Sequence, residues 1–261
     1  MNAAIANAVV SAWSWNPKQQ TLTQTGFDGD DTLWHSERGF HVAQDEIRAI
    51  LADHCEPEVL DRRLIEVERV NLHRYGYGAK AFTLSVIETA TELAGDRLTV
   101  DDVRAILDVG KRLLAHPVEL LVGVEEAIRE TAARHPIVLI TKGDLFHQES
   151  KVAGSGLGDL FTGVEIVSEK DVEQYRRVLA RYRVDPGRFV MVGNSLRSDV
   201  GPVLELGGWG VHVPHAYSWE LEAHDDEDAV RAHPRFRTCP DLTGLPDVLA
   251  GLDGLDRATQ G

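Results

Sequence analysis

Three carboxylates crowd into four positions at Asp28, Asp30 and Asp31, behind a short run, residues 21–27, whose threonines favour an extended backbone. Like charges this close repel. A folded chain keeps such a cluster where a metal ion, a phosphate or a shared proton offsets the repulsion. An acidic surface turn is the plain alternative for Asp28-Gly29-Asp30-Asp31. A calcium loop is excluded, because counting from Asp28 puts Leu33 where the loop needs glycine and Gly39 where it needs glutamate.

Further groups of the right chemistry stand behind other strand-like runs. Thr141-Lys142-Gly143-Asp144 follows the apolar run 136–140 and offers a hydroxyl, a backbone turn and a helix start suited to phosphate. Lys170 follows residues 163–167, and Gly193-Asn194-Ser195-Leu196-Arg197-Ser198-Asp199 follows residues 189–192. Singly, Thr141 could be a helix cap, Lys170 a solvated charge and Asp199 a helix N-terminal acid. Together they stand at the carboxyl ends of consecutive strands, where parallel sheets bind ligands.

The elements that must position them fall into two blocks. From Pro117 onward, strand-like runs alternate with helical patterns, one ending near Arg134 and others at residues 148–154, 171–182 and 200–206, which predicts a doubly wound parallel α/β sheet, a Rossmann-like core. Between the first strand and this region, helical periodicity dominates near residues 46–51 and over 57–71, 82–94 and 99–114, the last opened by Thr99 with Asp101 and Asp102 in its first turn. An all-helical insertion follows from this, with boundaries of 1–35 and 132–261 for the core and 36–131 for the helical cap. Residues 73–80 carry Arg74, Tyr77 and Lys80 around paired glycines, a candidate substrate-reading loop if the insertion covers a site.

In this order the motifs resemble those of the haloacid dehalogenase (HAD) superfamily. Asp28, Asp30 and Thr32 match its first motif, Thr141 the second, Lys170 the third and Gly193 to Asp199 the fourth, and Ser155-Gly156-Leu157 with Leu160-Phe161 matches a stretch common between the second and third. Lys151 competes for the third motif, but it falls inside a helix whereas Lys170 directly follows a strand. The resemblance implies Asp28 as nucleophile, Asp30 as general acid and base, and Thr141 and Lys170 as holders of the phosphoryl oxygens. Thr32, Lys142 and Gly143 are implied as substrate contacts beside Arg74, Tyr77 and Lys80. It further implies Mg²⁺ on Asp28, the backbone carbonyl of Asp30, Asn194 and Asp199. One departure stands out: Asn194 occupies a position that is acidic in the family, which keeps an oxygen ligand and loses a charge. In the family, dehalogenases lack an acid at the position of Asp30 and phosphatases have one, so the expected activity is Mg²⁺-dependent hydrolysis of a small phosphate monoester. The alternatives are a phosphomutase, or a metabolite-binding protein that kept the fold.

Composition sets the partners. A formal net charge of −15 disfavours unaided binding to nucleic acid or an anionic membrane, yet leaves room for a locally positive pocket. Cys55 and Cys239 lie far apart without metal-ligand spacing, which fits a reducing compartment. The apolar stretch 3–15 lacks a basic flank and is too short to span a bilayer, and reads as an extension or short helix on the core. The expectation is a cytoplasmic protein acting on a small phosphorylated metabolite, its oligomeric state open.

Overall fold

The computed structural model describes residues 24–217, 219, 222 and 226–259, so the N-terminal stretch 3–15 and the start of the first strand-like run lie outside the described residues. In chain order the elements are β1 (Gln24–Phe27), α1 (Glu37–Ile50), α2 (Pro57–Tyr75), α3 (Ala79–Ala94), α4 (Val100–Leu114), α5 (Val124–Arg134), β2 (Ile137–Lys142), α6 (Leu145–Ser155) and β3 (Gly163–Val167). Then follow α7 (Val172–Tyr182), β4 (Phe189–Gly193), a π-helical turn (Leu196–Val200), α8 (Gly201–Glu205), β5 (Trp209–His212), α9 (Glu227–Arg231), β6 (Phe236–Thr238) and α10 (Leu245–Thr259). Among the described residues no helix is long and apolar enough to cross a membrane.

The strands form one six-stranded sheet in the order β3-β2-β1-β4-β5-β6, parallel at every pairing. Helices cover both faces, so β2 and β4 are buried along almost their whole length, as their unbroken apolar sequences require. The order reverses beside β1, the topological switch point at which such sheets open a crevice. All the strand ends singled out above therefore converge there.

The cap is α1 to α4, closed around its own core of Ile47, Leu51, Leu60, Leu64, Phe82, Val86 and Ile106. Its local rules are legible. Pro57 opens α2, where its missing N–H costs nothing, and Thr99 and Asp102 form a reciprocal capping box on α4. The helix α1 begins at Glu37, well before the apolar spacing near residue 46, because its free N–H groups are satisfied from the core: the Asp31 carboxylate accepts from Ser36 N at 2.9 Å and Glu37 N at 2.9 Å. The expected cap boundary at 131 is corrected. Val124, Ala127 and Ile128 of α5 pack with Phe27, Leu33 and Leu139 in the sheet's core, so the cap closes after α4.

The chain leaves and re-enters the core at one place. His35 N donates to Glu119 O at 3.0 Å, Leu121 N to Leu33 O at 3.0 Å, and Trp34 and Leu120 form an isolated antiparallel bridge.

Candidate active site

At the switch point Lys170 Nζ lies between two buried carboxylates. It bonds Asp28 Oδ1 in a very short contact and Asp199 Oδ1 at 2.7 Å. Burial opposes the lysine's charge, but Asp199 and Asp28 outweigh it and raise its pKa, so it stays an ammonium. One positive charge does not neutralise two. Burial and the neighbouring Asp199 accordingly push the Asp28 carboxyl up to about 7, even with Lys170 beside it. Asp199 is anchored in turn by Ser195 N, which donates to its Oδ2 at 3.0 Å. Gly193 admits this approach, since a Cβ there would stand 2.4 Å from the Asp199 carboxyl carbon.

Thr32 is corrected from substrate contact to clamp. It is fully buried, donates to Asp28 Oδ2 at 3.0 Å and accepts from Asn194 N at 3.0 Å, tying the first strand's end to the fourth's. Thr141 is buried with its Oγ1 accepting from Gln148 Nε2 at 3.1 Å.

Asp30 faces the other way. Its carboxylate accepts from Trp34 Nε1 at 2.6 Å, Lys151 Nζ at 2.8 Å and Gln148 Nε2 at 2.9 Å. Burial would raise its pKa, but Lys151 and these donors prevail and lower it. The residue expected to act as general acid and base is thus a held carboxylate in this state. Lys151 is not the third-motif lysine, yet it belongs to the site. With Gln148 it stands one helical turn apart on the same face of α6, a spacing readable in the sequence.

Lys142 does not project freely at a substrate. Its Nζ bonds Glu222, Ser198 Oγ at 2.9 Å and Glu169 Oε1 at 3.4 Å, and lies 4.3 Å from the centre of the Tyr77 ring. Gly143 takes φ +136°, a conformation glycine tolerates, and leaves room for Gln148 to close on the Lys142 carbonyl.

A cavity of about 740 Å³ lies between these strand ends and the cap. Asp28, Asp30, Thr141, Lys142, Gly143, Lys170, Asn194 and Asp199 line its floor, whereas Glu37, Glu68, Asn71 and Tyr77 come from the cap. Tyr77 sits between Gly76 (φ +70°) and Gly78 (φ +102°), and its hydroxyl donates to Glu169 Oε2 at 2.6 Å, one residue from Lys170. The other two cap candidates are corrected. Arg74 is exposed on α2 and does not line the cavity, and Lys80, on α3, is exposed and pairs with Asp144 at 2.9 Å across the seam between cap and core.

Among the described residues no group of three or more His, Cys, Asp or Glu side chains is arranged to hold a metal. The oxygens nevertheless fit a hard divalent cation. Asp28 and Asp199 share one lysine, the Asn194 Oδ1 is nearby at 3.4 Å from Thr32 Oγ1, and Mg²⁺ needs only one or two carboxylates besides substrate and water oxygens. The unbalanced negative charge on the carboxylate pair is what such an ion would offset.

Comparison with known proteins agrees with this arrangement. The haloacid dehalogenase-like hydrolase family model matches residues 26–205. A haloacid dehalogenase-like family hydrolase from Xanthomonas campestris is 45% identical over 94% of this chain and 97% of its own, with a TM-score of 0.84. The fold is shared by a predicted phosphoglycolate phosphatase from Haemophilus somnus (16% identity, 87% and 98% coverage, TM-score 0.60). It is shared as well by the L-2-haloacid dehalogenase from Xanthobacter autotrophicus (17% identity, 88% and 99% coverage, TM-score 0.59). No curated protein sequence matches. With the match running from the first strand through the turn that carries Asp199, this chain belongs to the haloacid dehalogenase-like hydrolase family.

Proposed function

We propose that the protein is a Mg²⁺-dependent phosphatase that hydrolyses a small phosphate monoester through an aspartyl phosphate on Asp28. The observation that carries this reading is Asp30, a second carboxylate in the same cavity, two positions beyond the nucleophile and fixed by side chains of its own. Displacing a halide needs no such acid, whereas expelling an alkoxide does.

Asp28 Oδ attacks phosphorus and the bond to the leaving oxygen breaks; water then attacks the aspartyl phosphate and frees Asp28. Lys170 holds a phosphoryl oxygen and the nucleophile together, and the Thr141 hydroxyl holds another. Asp30 gives a proton to the leaving oxygen and takes one from the attacking water. Lys151 and its co-donors keep Asp30 ionised until an anionic phosphoryl group enters, whose charge raises the affinity of Asp30 for a proton. Asp28, Asp199, Asn194 and the Asp30 carbonyl would hold Mg²⁺, which would supply charge neutralisation of the phosphoryl oxygens. The cap excludes bulk water and limits the substrate to a small soluble ester.

The test is release of inorganic phosphate from p-nitrophenyl phosphate by the purified protein with Mg²⁺, measured beside chloride release from 2-chloropropionate. Phosphate release that stops on chelation is the expected result. Halide release without phosphate release would replace the reading with dehalogenation.

A further inference from the structure

We infer that the leaving group of the substrate carries a protonated amine, recognised by Glu37, Glu68 and Asn71 on the cap side of the cavity. The inference rests on the phosphatase reading for which end of the ligand lies on the floor, and on separate observations for the roof.

The lysines of the lining are all engaged within the protein: Lys142 with Glu222, Lys151 with Asp30, and Lys170 with Asp28 and Asp199. Arg231 pairs with Glu227 at 3.0 Å, and Arg62 is exposed to solvent. The roof acceptors are not matched in this way. Among the described residues the Glu37 carboxyl has no hydrogen-bond or ion-pair partner and Glu68 accepts only from Trp219. Asn71 is 1% exposed, spends its amide N–H groups on Ser85 at 3.3 Å and Glu88 at 2.7 Å, and leaves Oδ1 with no partner among the described residues. A buried acceptor without a donor costs free energy of about 1–3 kcal/mol, so a ligand that supplies the donor gains it.

The missing partner must donate and must be positive. Burial and then Asp31, Glu68, Asp30 and Glu222 push the Glu37 carboxyl up to about 8, and burial pushes Glu68 up to about 7. An ammonium meets all of these requirements, with three donors and no acceptor. A carboxylate on the leaving group meets none of them. A hydroxyl would donate once and would bring no positive charge against the acidic surroundings of Glu37, which are Asp31, Glu68, Asp30 and Glu222. The class is therefore phosphate monoesters of amino alcohols or amino sugars.

Binding without turnover separates this inference from the phosphatase reading. Titration calorimetry with Mg²⁺ present should rank 2-aminoethylphosphonate at least about tenfold tighter than 2-hydroxyethylphosphonate, and phosphonoacetate weakest. In the Glu37→Gln, Glu68→Gln double variant the preference for amine over hydroxyl should fall to within about twofold. Equal affinity of the amine and hydroxyl ligands in the parent, tighter binding of the carboxylate, or no binding of any, overturns the inference without use of the variant. Hydrolysis of p-nitrophenyl phosphate alongside equal affinities would leave the phosphatase reading standing and remove this one.

Discussion

The floor and the roof of the cavity satisfy their polar groups in opposite ways. On the floor each of these charged side chains has a partner within the protein: Lys170 with Asp28 and Asp199, Lys151 with Asp30, Lys142 with Glu222. On the roof, Glu37 and the Asn71 Oδ1 have none among the described residues. Groups that must act on a fixed reacting centre are held in advance, because orientation and preorganised charge lower the barrier. Groups that read a variable substrate are left to be completed by it.

The largest expected effect falls on the floor. Asp28→Asn removes the nucleophilic charge at nearly constant shape and should reduce kcat by about 10³-fold or more, with circular dichroism unchanged. Turnover within a few-fold of the parent would deny Asp28 its role. A smaller effect is expected where floor and roof meet. Tyr77→Phe keeps the ring over Lys142 and removes the hydrogen bond to Glu169, a charged acceptor, so KM for the preferred substrate should rise about tenfold with kcat within about twofold. Lys80→Ala, which breaks an exposed ion pair at the seam, should change either constant by less than about twofold. Equal losses in the two variants would mean that the cap contributes through docking alone.

A few-fold effect is expected at Asn194. Restoring a carboxylate with Asn194→Asp should lower the Mg²⁺ concentration for half-maximal activity, measured by metal titration of phosphate release. An unchanged requirement would remove Asn194 from the ligand set. The smallest effect belongs to the roof and concerns stability. Glu37 binds its proton with a pKa of about 8 in the folded chain against an ordinary value of 4.5, so between those pH values the folded state holds more protons than the unfolded one and stability falls as pH rises. Glu37→Gln removes that loss. At pH 8 the variant should melt several degrees above the parent, and at pH 4.5 the two should nearly coincide. An equal gain at both pH values would trace the effect to packing instead of charge.

How much of this was readable before the fold is clear from particular residues. Asp28, Thr141, Lys170 and Asp199 were legible because each follows a strand-like run, and parallel strands bring such ends together. The boundary at 131 fell inside α5 because periodicity shows that a helix has an apolar face without showing which core that face covers. The roles of Arg74, Lys80 and Lys142 were misjudged for a related reason. A long cationic side chain goes to a carboxylate within its reach, and Asp144 and Glu222 become neighbours of these lysines only through tertiary structure. The final strand β6 is short and only partly buried, and gives little pattern to read. Gln148 and Lys151 shared a helix face in plain view, but Asp30, the reason they matter, lies over a hundred positions away.

The hydrogen-bonded neck at His35 and Glu119 makes the cap a closed excursion of the chain. Because departure and return are neighbours, the excursion imposes no span on the sheet, and the entropy of closing it grows only slowly with inserted length. The sheet is thus indifferent to how many residues the excursion holds. A lineage that exchanged the whole insertion would change its substrate in one step while its nucleophile stayed in register, so the neck is the joint at which this architecture is modular.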